Sequence, residues 1–122
     1  MNKPKGLKRI INAFKYSLKG FKSAIKYETA FRQELIMLVI AYVIVMLIDF
    51  SIYERILLLG SIGVVMIVEL INSAIECVVD RIGAERHELS GRAKDYGSAA
   101  VCLSLLLTAT LWIYLFACHF FP

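Results

Sequence analysis

The stretch Glu69-Leu70-Ile71-Asn72-Ser73-Ala74-Ile75-Glu76-Cys77-Val78-Val79-Asp80 sets carboxylates, an amide and a hydroxyl into an otherwise apolar run. At 3.6 residues per turn, Glu69, Asn72, Ser73, Glu76 and Asp80 fall within an arc of about 100°, on one face of a helix. The preceding segment, Ile56 to Val68, carries no charge. The spacing therefore predicts a membrane-spanning helix with Glu69 well inside its apolar part. An ionisable group at that depth costs roughly 2.5 kcal/mol or more on insertion scales, so it marks a functional site.

Composition points the same way. In 122 residues, 59% are hydrophobic and the mean hydropathy is +0.69, too apolar for a soluble fold of this size. The chain reads as one all-α membrane domain over residues 1–122. Its formal charge of +4 is unevenly placed. Nine of the fourteen Lys and Arg lie at or before Arg32, four between Arg81 and Lys94, and Arg55 stands alone. Charge here marks the sides of a membrane, and no nucleic-acid partner is expected.

Leu7, Ile10, Ile11, Phe14, Leu18, Phe21 and Ile25 follow helical spacing over residues 5–26, and Lys8, Lys15, Lys19, Lys22 and Lys26 flank that stripe. This is the pattern of an amphipathic helix lying on an anionic membrane surface. No unbroken apolar core follows the basic start, so the segment is not read as a signal peptide. Spans are expected at 29–48, 56–79 and 96–119. Gly60, Ser61 and Gly63 offer a smooth packing patch in the second. Trp112 and Tyr114 are belt residues of the third, and His119 an interfacial one. Between the last two spans lies a polar loop, 80–95, in which Gly91 signals a turn or tight approach. The basic residues place the N-terminus and this loop in the cytoplasm, and the 49–55 turn and the C-terminus outside.

Cys77, Cys102 and Cys118 form no C-x-x-C pair and read as small buried hydrophobes. His-Glu-Leu-Ser-Gly from His87 lacks the second His of a zincin helix. There is no P-loop, no Gly-rich kinase loop and no H-R-D segment. The intramembrane polar groups all sit in the cytoplasmic half, which leaves a transmembrane ion path nothing to run on and favours chemistry at the inner interface.

Glu69 and Glu76 are two turns apart, about 10 Å along the axis, too far to share one metal ion. Glu76, nearer the charged end, can hold a metal within reach of soluble phosphates. Glu69, deeper, can meet a lipid hydroxyl as general base, with Asn72 orienting it or a substrate oxygen. The structural alternative is that these groups are interhelical hydrogen-bonding contacts, and that Asp80 is a helix-end contact. Arg9, Arg92 and Lys94 are the cations placed to converge on the cytoplasmic end of the second span.

Glu69 to Asp80 matches the E-x-x-N-[ST]-[AS]-x-E-x-x-x-D pattern of the prokaryotic integral-membrane diacylglycerol kinase family. Ala-Phe-Arg-Gln-Glu at Ala30 to Glu34 and His-Glu-Leu-Ser-Gly-Arg-Ala-Lys-Asp-Tyr-Gly-Ser-Ala-Ala at His87 to Ala100 are also similar to segments of that family, so the chain resembles it over almost its whole length. The resemblance implies a homotrimer of three-span subunits, each with an N-terminal surface helix, in the bacterial inner membrane. It implies a lipid kinase that moves the γ-phosphoryl of MgATP to the hydroxyl of diacylglycerol, giving phosphatidic acid and ADP. By the same carry-over Glu69 is the catalytic base, supported by Asn72 and Glu34, and Glu28 with Glu76 holds magnesium. Arg9, Tyr16, Glu28, Glu76, Glu85, Arg86, His87, Lys94 and Asp95 would line the nucleotide. Arg9, Ala30, Phe31, Arg32, Gln33, Glu34, Glu69 and Ser98 would meet the lipid. Undecaprenol kinases share the core motif and give an alternative acceptor. A noncatalytic membrane assembly subunit is the rival from another class.

Overall fold

A computed structural model describes residues 5–83 and 85–122, which form four helices: α1 (Leu7–Tyr27), α2 (Thr29–Leu47), α3 (Ile52–Ile82) and α4 (Glu88–Phe120). The last three are long and apolar enough to cross a membrane. The fold is thus an all-α membrane protein with an N-terminal amphipathic helix, as the sequence predicts. Whole turns of α3 and α4 outrun the apolar segments. At 1.5 Å per residue the 31 residues of α3 extend about 46 Å, past a hydrocarbon core of ~30 Å.

The breaks between helices are each secured by side chains. Glu28 takes an extended conformation between α1 and α2. There Arg32 folds back, its Nη1 donating to the carbonyls of Ile25 (2.8 Å) and Lys26 (3.0 Å) and its Nη2 to Thr29 Oγ1 (3.1 Å). The open carbonyls at the end of α1 are satisfied in this way. Ser51 begins α3 with a capping box: its Oγ accepts from the Glu54 amide and Glu54 Oε1 accepts from the Ser51 amide. Those bonds to Ser51 hold the Glu54 carboxyl below its ordinary range. Arg55 reaches back to the Ile48 carbonyl at 3.2 Å, closing the end of α2.

The polar loop is shorter than the composition suggests. Helix α4 starts at Glu88, with His87 as its N-cap, Nδ1 accepting from the Leu89 amide, so Ser90 to Asp95 are helical. Gly91 makes no turn: it lies inside α4, and a Cβ there would meet nothing within 4 Å. An i,i+4 pair, Arg92 to Glu88 at 2.8 Å, supports the first turn.

Helix α3 packs antiparallel against both α2 and α4, while α1 leans chiefly on α2. Near the 48–51 turn, Val45, Phe50 and Leu58 are buried against Ile48, Leu59, Trp112, Leu115 and Phe116. Trp112 is not a belt residue. Its ring stacks on Phe116 at 5.5 Å, and its Nε1 donates to the Leu58 carbonyl (3.2 Å) and Ser61 Oγ (3.1 Å). An indole N–H satisfied against α3 has no need of the membrane surface. Tyr114 is exposed. His119 lies 4.7 Å from the Phe50 ring. Of the small-residue patch, Ser61 alone is engaged within the chain. Added Cβ atoms at Gly60 and Gly63 would meet nothing within 4 Å. Outside these seams the apolar side chains of all four helices are exposed, including Cys77, Cys102 and Cys118.

Candidate active site

The polar face of α3 turns inward. Glu69, Asn72 and Ser73 are each 8% exposed, and Glu34 from α2 is equally covered. The α2–α3 register, set by the short 48–51 turn, brings Glu34 to Glu69, and the start of α2 brings in Glu28. Glu69 feels the charges of Glu76 and Glu28, and Glu34 feels that of Glu69. Four carboxylates thus gather at one end of the helices. None of the four forms an ion pair among the described residues.

Asn72 is hydrogen-bonded to one of these groups. Its Nδ2 donates to Glu76 Oε1 at 3.4 Å, one turn further along α3. Its Oδ1 is buried without a hydrogen-bond partner, as is Glu34 Oε1. Above Asn72 sits Gly97 of α4, buried, where a Cβ would collide with Asn72 Oδ1 and come within 3.1 Å of its Cγ. The element approaching it is the Asn72 amide.

Beyond Glu76 the α3–α4 hairpin ends in a hollow of ≈ 240 Å³. Asp80, Glu85, Arg86, His87, Ser90 and Lys94 are among the residues lining it. Lys94 Nζ meets Asp80 Oδ1 at 2.7 Å. That hydrogen bond and charge hold the Lys94 ammonium above its ordinary value of 10.5, with a further contribution from the Glu76 charge. The helix-end role considered for Asp80 is therefore what it performs. Asp80, Glu76, Asn72 and Glu69 share the face of α3 that runs from this hollow to the carboxylate cluster.

Other expected site residues stand apart. Arg9 and Tyr16 are exposed on α1. Arg9 lies about 27 Å along the helix axis from Tyr27, and so far from Glu28. Asp95 and Ser98 are exposed on α4, and Gln33 on α2. Ala30 is half-buried and Phe31 fully covered. Arg32 is engaged with the end of α1. A single chain therefore assembles Glu28, Glu34, Glu69, Asn72 and Glu76 in one cluster and Glu85, Arg86, His87 and Lys94 in the adjoining hollow. It does not bring Arg9 or Tyr16 to either.

No group of three or more His, Cys, Asp or Glu side chains is close enough to form a metal cage among the described residues. Magnesium does not need one, since it keeps waters and is typically held by one or two carboxylates plus substrate phosphates. Carboxylates that form no ion pair among the described residues fit that mode of binding.

Comparison with known proteins gives the family. The prokaryotic diacylglycerol kinase family profile matches residues 15–116. The chain is 50% identical to a diacylglycerol kinase of Escherichia coli over 119 residues, covering 98% of each chain. It is 51% identical to one from Haemophilus influenzae over 112 residues, covering 92% of this chain and 95% of that one. With one from Pseudomonas aeruginosa the identity is 48% over 107 residues, covering 88% and 87%. A profile match over most of the length, together with half-identical relatives spanning almost all of it, places this chain in the prokaryotic diacylglycerol kinase family.

Proposed function

We propose that the chain is an ATP-dependent diacylglycerol kinase of the bacterial inner membrane. The observation that carries this is the polar track down one face of α3. A buried carboxylate at Glu69 shares one helix face with Asn72, Glu76 and Asp80, and Asp80 lines a cation-bearing hollow at the helix ends. A kinase takes its phosphoryl group from a nucleotide phosphate, which is water-soluble, and here passes it to an acceptor that is not. A site running from an aqueous hollow into an apolar span suits that pair of substrates.

Glu69 accepts the proton of the diacylglycerol hydroxyl. The hydroxyl oxygen forms a bond to the γ-phosphorus as the bond from that phosphorus to the β–γ bridging oxygen breaks, leaving phosphatidic acid and ADP. Burial between α2 and α3 keeps competing water away from Glu69. Lys94, with Arg86 and His87, offers donors to the phosphates. Glu28 and Glu76 would hold magnesium, which when bound offsets phosphate charge. Because phosphoryl transfer is mainly positioning and charge stabilisation, a small helical protein can perform it.

The clustering of basic residues at the N-terminal segment and at 81–94 supports a cytoplasmic site and N-terminus, with the C-terminus outside. The exposed apolar faces of α3 and α4, and the distance of Arg9 and Tyr16 from the cluster, support a homotrimer in which copies complete one another. The test is transfer of label from γ-labelled ATP by purified protein to diacylglycerol, to undecaprenol, or with no lipid. Preferential labelling of diacylglycerol is expected. Preference for undecaprenol would reassign the acceptor, and transfer to neither would remove the kinase reading.

A further inference from the structure

We propose that Gly97 is a positioning residue for Glu76, acting through Asn72. This rests on the assignment of Glu76 as a magnesium ligand.

A carboxylate can only accept, so the Asn72 amide must turn its N–H toward Glu76. The oxygen then faces the opposite way, into α4. There it finds no hydrogen-bond partner and lies in the space that a side chain at Gly97 would fill. Any side chain at Gly97 would occupy the space of Oδ1. The backbone of α4 thus acts as a floor under the amide: with Gly97 in place, Asn72 sits in the conformation that donates to Glu76 Oε1. A Cβ at Gly97 would push the amide off that floor and release the Glu76 carboxylate. The conformation of Gly97 itself does not call for glycine, since it is helical with no positive φ. The space above Asn72 does.

Residues that orient a metal ligand without touching the metal typically alter metal affinity by 10–100-fold when replaced. The experiment measures binding of manganese(II), as a magnesium substitute, to the purified full-length protein by the loss of its free electron-spin-resonance signal. Diacylglycerol kinase assays run on the same samples. The variants are Gly97→Ala, Asn72→Ala and the double variant.

Gly97→Ala should weaken manganese binding about 10-fold and raise the magnesium needed for half-maximal activity, while KM for diacylglycerol stays as in the unsubstituted protein. Asn72→Ala should do the same. In the double variant the Cβ has no amide to displace, so its manganese affinity should equal that of Asn72→Ala alone. If the two losses multiply, Gly97 does not act through Asn72 and the proposal falls. Unchanged manganese affinity in Gly97→Ala, or a raised KM for diacylglycerol in its place, would also overturn it. If Gly97→Ala fails to assemble, a double variant that assembles and binds manganese as Asn72→Ala does supports the proposal, because removing the amide has removed the clash, and a double variant that also fails to assemble overturns it. Failure of the kinase reading is told apart by the unsubstituted protein, which would then bind no manganese or transfer no phosphoryl group.

Discussion

Glu69 and Lys94 hold opposite ends of the polar track, and their surroundings set what each can do. Replacing Glu69 with Gln keeps the volume but removes the charge and the proton acceptor. Turnover should fall by roughly 10²–10⁴-fold, with lipid binding and assembly retained, as read by labelled-phosphate transfer and size-exclusion chromatography. Near-normal turnover would take the base role away from Glu69. Lys94 is tied to Asp80, and its folded-state titration lies above its ordinary 10.5. A raised value means the pair's stabilisation is fully present below the unfolded pKa and is lost as pH rises through the folded one. The difference in melting midpoint between the unsubstituted protein and Asp80→Asn should therefore hold level from neutral pH to about pH 10 and shrink above it. A difference that disappears by pH 8 would show that Asp80 does not hold Lys94. Spacing alone exposed Glu69, Asn72 and Glu76, because a polar face repeating every three to four residues in an apolar run has few explanations. Gly97 became legible only with the α3–α4 register, which no local pattern encodes.

Each helix announced itself through its period or its apolar run, yet the ends of α3 and α4 did not. Apolar length marks what the membrane covers, whereas helix ends are set by caps and by pairs along the polar turns. The signals were present: Ser51-Ile52-Tyr53-Glu54 spells the capping box that starts α3, and Glu88 with Arg92 has the i,i+4 spacing that starts α4. Trp112 departs from the expected belt position for a related reason. A Trp near the end of a span suits a membrane surface, but it suits equally an interhelical hydrogen bond whose acceptors lie more than 50 residues away. That bond gives the α3–α4 seam a measurable contribution. Trp112→Phe should keep the stacking on Phe116 but lose both acceptors, costing about 1 kcal/mol in reversible unfolding from mixed micelles. It should leave phosphoryl transfer intact, since the site lies at the other end of the helices. No loss of stability would mean that the indole N–H is equally satisfied in the unfolded chain.

At the scale of the molecule, one chain is rich in carboxylates where the reaction is proposed and short of the cations that phosphates require. Lys94 is partly neutralised by Asp80, and Arg9 and Tyr16 stand well along α1 from the cluster. Since α1 is a continuous helix hinged at Glu28, swinging it cannot bring Arg9 to Glu28 of its own chain; the separation along the axis is fixed. In the proposed homotrimer a neighbour's α1 can lie across the gap, with its apolar stripe in the membrane surface and its basic flank toward the phosphates. That arrangement predicts the behaviour of mixed assemblies. Glu69→Gln and Arg9→Ala chains, each nearly inactive alone, should regain transfer when dissociated together and reassembled. Some sites would then pair an intact Glu69 from one chain with an intact Arg9 from another. Simple mixing without dissociation should restore nothing. If reassembled mixtures stay as inactive as their parents, each chain must complete its own site, and Arg9 would have to act outside the reaction centre, on the lipid surface that its helix covers.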